Sequence, residues 1–172
     1  SDDAARNNFP LVSPDGRYLI WVSDRMGTGA SQIWRMDIDG GNPKQLTSVG
    51  GGVWFPQLSP DGKWVVYGSI GAEINYHALW KVPTDGGTPI QLTEKPSWVP
   101  DVSPDGKLIS CTWLDEASGQ WKIAVIPFGC GSSVVGGVEP AAVRLGMRER
   151  VLSILQTIRD RFAQDGAAAH QL

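Results

Sequence analysis

Ser13-Pro14-Asp15-Gly16, Ser59-Pro60-Asp61-Gly62 and Ser103-Pro104-Asp105-Gly106 are one tetrapeptide occurring three times, at intervals of 46 and then 44 residues. Each residue type suits a tight reversal between two antiparallel strands. Pro presets φ at the first corner position, Asp accepts local amide bonds, and Gly takes the left-handed site. Outward from that turn, the other features fall at fixed offsets. Phe9-Pro10, Phe55-Pro56 and Val99-Pro100 precede it, leading into a short strand. After it come the apolar runs Tyr18 to Val22, Trp64 to Tyr67 and Leu108 to Trp113, then a polar loop, then a third strand at Ile33 to Met36, Leu79 to Val82 and Ile123 to Ile126. In the first two copies Asp39-Gly40-Gly41 and Asp85-Gly86-Gly87 signal a hairpin into a fourth strand ending Gln45-Leu46-Thr47 or Gln91-Leu92-Thr93. Four antiparallel strands in about 45 residues make one propeller blade.

The pattern resembles the TolB-like, or WD-like, family of β-propeller repeats with a Ser-Pro-Asp-Gly signature, and the resemblance covers residues 9–128. The fold class expected is therefore all-β: a partial β-propeller of three four-stranded antiparallel blades (9–54, 55–98 and 99–128), plus a C-terminal amphipathic helix. Family members serve as the periplasmic TolB protein, as propellers of prolyl-oligopeptidase-like enzymes, and as domains attached to bacterial kinases and regulators. The resemblance thus implies a bacterial binding or scaffold module and tilts localisation toward the periplasm or another extracytoplasmic place.

Composition narrows the alternatives. The 172 residues carry a net charge of −3, which gives no basic surface for nucleic acid. No apolar run is long enough to span a membrane. Residues 1–8 lack the apolar heart of a secretory signal and read as a disordered or strand-completing segment. The eight Trp recur at equivalent repeat positions and are expected to be packing residues between stacked sheets. Cys111 and Cys130 have no motif spacing around them, so neither a disulfide framework nor a metal site is expected.

Antiparallel connections alternate between two faces. The Ser-Pro-Asp-Gly and Asp-Gly-Gly turns fall on one, and the longer, variable loops on the other. Variable loops on a rigid scaffold usually carry binding. They offer Asp24, Arg25, Trp54, Tyr76, His77, Glu94, Lys95, Trp98, Asp115 and Glu116 as a partner face, and this mixture of charges and aromatics suits a protein or peptide. The resemblance implies that this face and the central channel accept partner segments.

The third copy departs from the pattern: Gly129-Cys130-Gly131 replaces the Asp-Gly-Gly turn, and Val135-Gly136-Gly137 aligns with Gln-Leu-Thr. Residues 129–138 read as a Gly/Ser-rich linker or irregular edge strand, filled by Ser132 to Val135 or by another chain. Residues 139–166 read as an amphipathic helix whose stripe, Met147, Val151, Ile154, Leu155, Ile158 and Phe162, is a candidate self-association surface, and 167–172 as a tail.

No catalytic constellation emerges. Gly50-Gly51-Gly52 and the Gly27 to Ser31 loop lead into strands rather than phosphate-binding helices, and with only His77 and His170 a catalytic triad has little to draw on. Asp15, Asp61 and Asp105 are turn residues, each too poor in oxygen neighbours for calcium. No enzyme activity, cofactor or metal is expected. Propellers usually close with four to eight blades, so three leave two apolar flanks bare. The reading is a non-catalytic protein- or peptide-binding scaffold whose two copies form a six-bladed homodimeric ring. The alternatives are the substrate-gating propeller of a prolyl-oligopeptidase-like enzyme lacking its catalytic domain, and a truncated or fused fragment whose only activity is self-assembly.

Overall fold

The computed structural model describes residues 5–27, 29–70 and 76–129. The calls on residues 1–4, on Cys130, on the linker beyond residue 129, on the helix stripe Met147 to Phe162 and on the tail lie outside those residues.

Among the described residues, eleven strands form three antiparallel sheets. The first joins β1 (Asn7–Val12), β2 (Tyr18–Ser23), β3 (Gln32–Asp37) and β4 (Lys44–Gln45) in chain order. The second repeats it with β5 (Val53–Leu58), β6 (Trp64–Ile70), β7 (His77–Pro83) and β8 (Ile90–Gln91). The third contains β9 (Ser97–Val102), β10 (Leu108–Asp115) and β11 (Gln120–Pro127). The expected third four-stranded blade is thus three-stranded among the described residues, because the position of a fourth strand falls beyond residue 129. The inner strands start at Asn7, Val53 and Ser97, two residues ahead of the expected blade boundaries.

The repeated turn works as its chemistry dictates. Ser13 Oγ donates to Asp15 Oδ1 at 2.7 Å, the same oxygen accepts the Arg17 amide at 3.1 Å, and Ser13 Oγ accepts the Tyr18 amide at 3.1 Å. Ser59 with Asp61, and Ser103 with Asp105, repeat the arrangement at 2.6 and 2.7 Å. Gly16, Gly62 and Gly106 have φ near +70°, at 71°, 71° and 69°, where a side chain would be strained. The Ser13 hydroxyl, followed by the Arg17 amide and guanidinium, holds Asp15 at a pKa of about 2. The three aspartates are therefore committed to their own turns.

Each sheet is apolar on both faces, and the sheets stack through them. Tyr18, Ile20, Val22, Ile33 and Leu46 of the first pack on Val53, Val65, Tyr67 and Val82 of the second. Val66, Leu79 and Leu92 on the opposite face of the second meet Ile109, Cys111, Trp113, Ala124 and Ile126 of the third. The Trp expectation holds in part: Trp113 is buried between sheets and Trp80 packs against the first core, whereas Trp21 lies on the outer flank of the first blade and Trp121 is 56% exposed. Burial pushes the Cys111 thiol up to about 12, so it behaves as an apolar side chain.

A repeated cation ties the blades along the short-turn face. Arg35 Nη1 donates to the Thr84 carbonyl at 2.9 Å and pairs with Asp85, and its guanidinium lies 4.3 Å from the Tyr18 ring centre. One blade on, Lys81 Nζ donates to the Phe128 carbonyl at 3.0 Å and lies 4.7 Å from the Trp64 ring. Register makes these the same device, since Arg35 faces Ile20 and Lys81 faces Val66. The third blade has Val125 there, opposite Ser110.

Several buried polar groups, the Tyr67 hydroxyl and the Trp80 and Trp113 indole nitrogens among them, have no partner among the described residues. Tyr67 itself is fully buried. Removing a buried, unpaired hydroxyl relieves a desolvation cost of about 1–3 kcal/mol. Tyr67→Phe is therefore expected to raise the thermal midpoint in a calorimetric scan, and a lowered midpoint would show that the hydroxyl is bonded.

Candidate functional site

The three inner strands share a local distortion. Asn8 pairs with Val22 but Leu11 with Ile20, so Phe9 and Pro10 together oppose Trp21. Phe55-Pro56 oppose Tyr67 and Val99-Pro100 oppose Cys111 in the same way. At each bulge the residue before proline is left-handed: Phe9 has φ 53°, Phe55 51° and Val99 51°. For a non-glycine residue ahead of proline this conformation costs on the order of 1–3 kcal/mol, and the β-branched Val99 is the most strained. The bulges interrupt the pleat, so the aromatic residues flanking them are not confined to the alternating faces of a regular strand.

The result is a continuous aromatic cluster built from two blades and the edge of a third. Phe9 and Phe55 have ring centres 5.6 Å apart, and Phe55 lies 5.6 Å from Trp98. Trp54 is 5.7 Å from Trp98 and 5.1 Å from His77, whose imidazole sits edge-on 3.8 Å from Trp98. A Cβ on Gly68 would approach the Trp98 ring at 3.9 Å, and one on Gly52 would approach Trp54 at 3.4 Å. Phe9 is 40% exposed, and the other four rings are half-buried. Tyr76 at the rim donates to the Glu94 carbonyl, fixing the loop before β9.

Of the residues expected to form a partner face, Trp54, His77 and Trp98 come together here, with Tyr76 and Glu94 bordering them. The others are engaged elsewhere. Asp24 accepts both the amide and the Nε of Arg6, at 2.8 and 2.9 Å, fastening the N-terminal segment to the β2–β3 loop. Arg25 lies 5.0 Å from the Trp34 ring centre and 5.7 Å from that of Trp21, on the outer flank of the first blade. Asp115 accepts from Ser118 and pairs with Lys122, the contact that does most to lower its pKa. Lys95 and Glu116 approach to 3.9 Å, with Lys95 also 5.6 Å from the Trp113 ring. Phe9 and Phe55 were missed as site residues: read as landmarks before the turn, they carried a signal in their recurrence ahead of proline. No group of three or more metal-ligating side chains occurs among the described residues, and no described helix is long and apolar enough to cross a membrane.

Three strained inner strands, one per sheet, are the arrangement of a partial propeller, and comparison with known proteins agrees on that fold. The family described as the dipeptidyl peptidase IV (DPP IV) N-terminal region matches residues 4–118. The chain belongs to that family. The TolB-like resemblance holds as well. A TolB-type protein from Agrobacterium tumefaciens superposes with a TM-score of 0.56 at 25% identity, over 70% of this chain and 46% of its own. TolB from Acinetobacter baumannii gives 0.59 at 23% identity, over 72% and 30%. An uncharacterized protein of Agrobacterium fabrum is 44% identical over 50 residues, which is 29% of this chain and 16% of that protein. The chain therefore spans less than half the length of these relatives.

Burial among the rings lowers the pKa of His77 from its ordinary value, and its Nδ1 has no partner among the described residues. A lowered histidine pKa means that the fold favours the neutral ring. The associated stability is present above the unfolded value of about 6.5 and is lost as pH falls through the lowered value. In an NMR titration His77, identified by its absence in His77→Gln, is expected to show a midpoint below 6.5. A midpoint above that would require an anionic neighbour.

Proposed function

We propose that this member of the dipeptidyl peptidase IV N-terminal region family is a non-catalytic protein- or peptide-binding propeller segment, whose recognition site is the aromatic mouth of Phe9, Trp54, Phe55, His77 and Trp98. The observation that carries the reading is the half-exposed state of these rings. Aromatic side chains provide large contact area at low entropic cost, and partly open clusters of them suit an extended peptide. Panning a peptide library against the chain is expected to enrich binders that Trp98→Ala and Trp54→Ala each weaken at least tenfold. Binders indifferent to both changes would place recognition elsewhere.

The flanks support ring completion by a second copy. The first blade turns Leu19, Trp21, Trp34 and Met36 to its open side, at the positions by which Val65, Tyr67, Trp80 and Val82 meet the blade before them. A groove of about 630 Å³ runs along this flank, lined by Leu19, Trp21 and Met36 with Asn7, Pro10 and Arg25. The third blade turns Leu108, Thr112, Ile123 and Val125 to its other flank, at the positions by which Tyr18, Val22, Ile33 and Arg35 meet the next blade, with the buried Ser110 at the place of Ile20. The two open sides are therefore complementary halves of one repeating interface, and two chains joined head to tail would use each flank once.

Val125 makes that junction weaker than the internal ones, because it brings no cation to the Ile38 carbonyl, which stands at the place of Thr84 and Phe128. Sedimentation equilibrium is expected to give twice the 18.6 kDa mass of one chain. Val125→Arg is expected to tighten the dimer about a hundredfold, because the ring contains this junction twice and each gains one charge-assisted hydrogen bond of about 1.5 kcal/mol. A monomer at micromolar concentration, unchanged by Val125→Arg, would dismiss the ring.

The family match favours one second reading, a propeller segment that gates substrate for a peptidase domain. A covalent serine-hydrolase probe labelling the native protein from which this chain comes would support that reading over the first.

A further inference from the structure

The outer edges of the three sheets are not finished alike. In the first blade the Leu46 amide donates to the Ile33 carbonyl at 2.8 Å, and Thr47 Oγ1 accepts the Ile33 amide at 2.9 Å. In the second, the Leu92 amide donates to the Leu79 carbonyl at 2.7 Å, and Thr93 Oγ1 accepts the Leu79 amide at 2.9 Å. Leu46 and Leu92 fall into the two cores, and Gln45 and Gln91 each brace the carbonyl of the following Thr. Leu-Thr is thus a plug of one backbone–backbone bond, one bond from a backbone amide to the Thr hydroxyl, and one apolar side chain.

The socket recurs in the third blade. Ile33 faces Val22, Leu79 faces Gly68 and Ile123 faces Thr112, so the amide and carbonyl of Ile123 point away from β10 to the outer edge of β11. Among the described residues nothing pairs with that edge. Two large apolar side chains stand open beside it, Ile123 at 41% and Trp121 at 56% exposure. The chain's own sequence does not repeat the plug. Nine and ten residues after Asp37 and Pro83 come Leu46-Thr47 and Leu92-Thr93, whereas the same count from Pro127 reaches Gly136-Gly137. Glycine has neither the aliphatic group nor the hydroxyl.

We propose that the outer edge of β11 is a strand-addition site that takes an extended segment of another polypeptide bearing a branched aliphatic residue followed by Thr or Ser. The main chain supplies the pairing, and the aliphatic and hydroxyl groups supply selectivity, as in other edge-strand recognition. The site lies on a sheet edge remote in sequence from Trp54, His77 and Trp98, and it stands or falls independently of the aromatic mouth.

The test uses the full chain and a fluorescein-labelled peptide copying residues 42–50, which contains Lys-Gln-Leu-Thr-Ser. Anisotropy is expected to show saturable binding, weakened roughly five- to tenfold when the peptide's Thr becomes Val and abolished when its Leu becomes Asp. Ile123→Pro removes only an outward amide, which an edge strand tolerates, so it is expected to abolish binding while the circular dichroism spectrum is kept. The Ile123 amide should exchange quickly in the free chain and slowly with peptide. Absent binding, equal binding of the Leu→Asp peptide, or an Ile123 amide already protected without peptide would each overturn the proposal. The last outcome would mean that residues beyond 129 or a second copy fill the edge.

Discussion

A small twisted sheet that is apolar on both faces has no stable existence alone in water, and that constraint governs this molecule. Val65, Tyr67 and Val82 on one side of the middle blade, and Val66 and Leu79 on the other, are all withdrawn from solvent, because each side has a neighbour to press against. The cations at 35 and 81 act within the same constraint. Each leaves water by lying on an aromatic ring of its own blade and spending its hydrogen bonds on the next one. Apolar stacking sets the distance between sheets, and these cations fix their rotation at the short-turn rim.

Much of this was legible in the residues. Pro, Asp and Gly have strong local preferences, so the turns, the hairpins and the strand order could be read from spacing alone. What escaped were features set by three-dimensional register. The left-handed backbone of Phe9, Phe55 and Val99 contradicts the usual preference of a residue before proline, and no single-residue propensity announces it. Arg35 and Lys81 find their acceptors on the neighbouring blade, which spacing within one repeat does not reveal.

The candidate site shows the same division. Expected on loops, Trp54, His77 and Trp98 lie instead at the starts of β5, β7 and β9, where their rings cluster. Loop membership also brought forward Asp24 and Asp115, whose carboxylates fold back on Arg6 and on Ser118 and Lys122. Charge on a loop is a poor guide to availability, since short polar side chains often bond first to their own neighbourhood. Aromatic rings have fewer such local outlets, and the five that cluster here do so across blades.

Among the described residues, contacts between sheets run from one blade to the next, so the sheets behave as a short one-dimensional lattice. Its middle unit gains from two couplings and each outer unit from one. Cooperativity therefore radiates from β6 and fades toward both ends, and a lineage could add or delete a whole unit while disturbing a single seam.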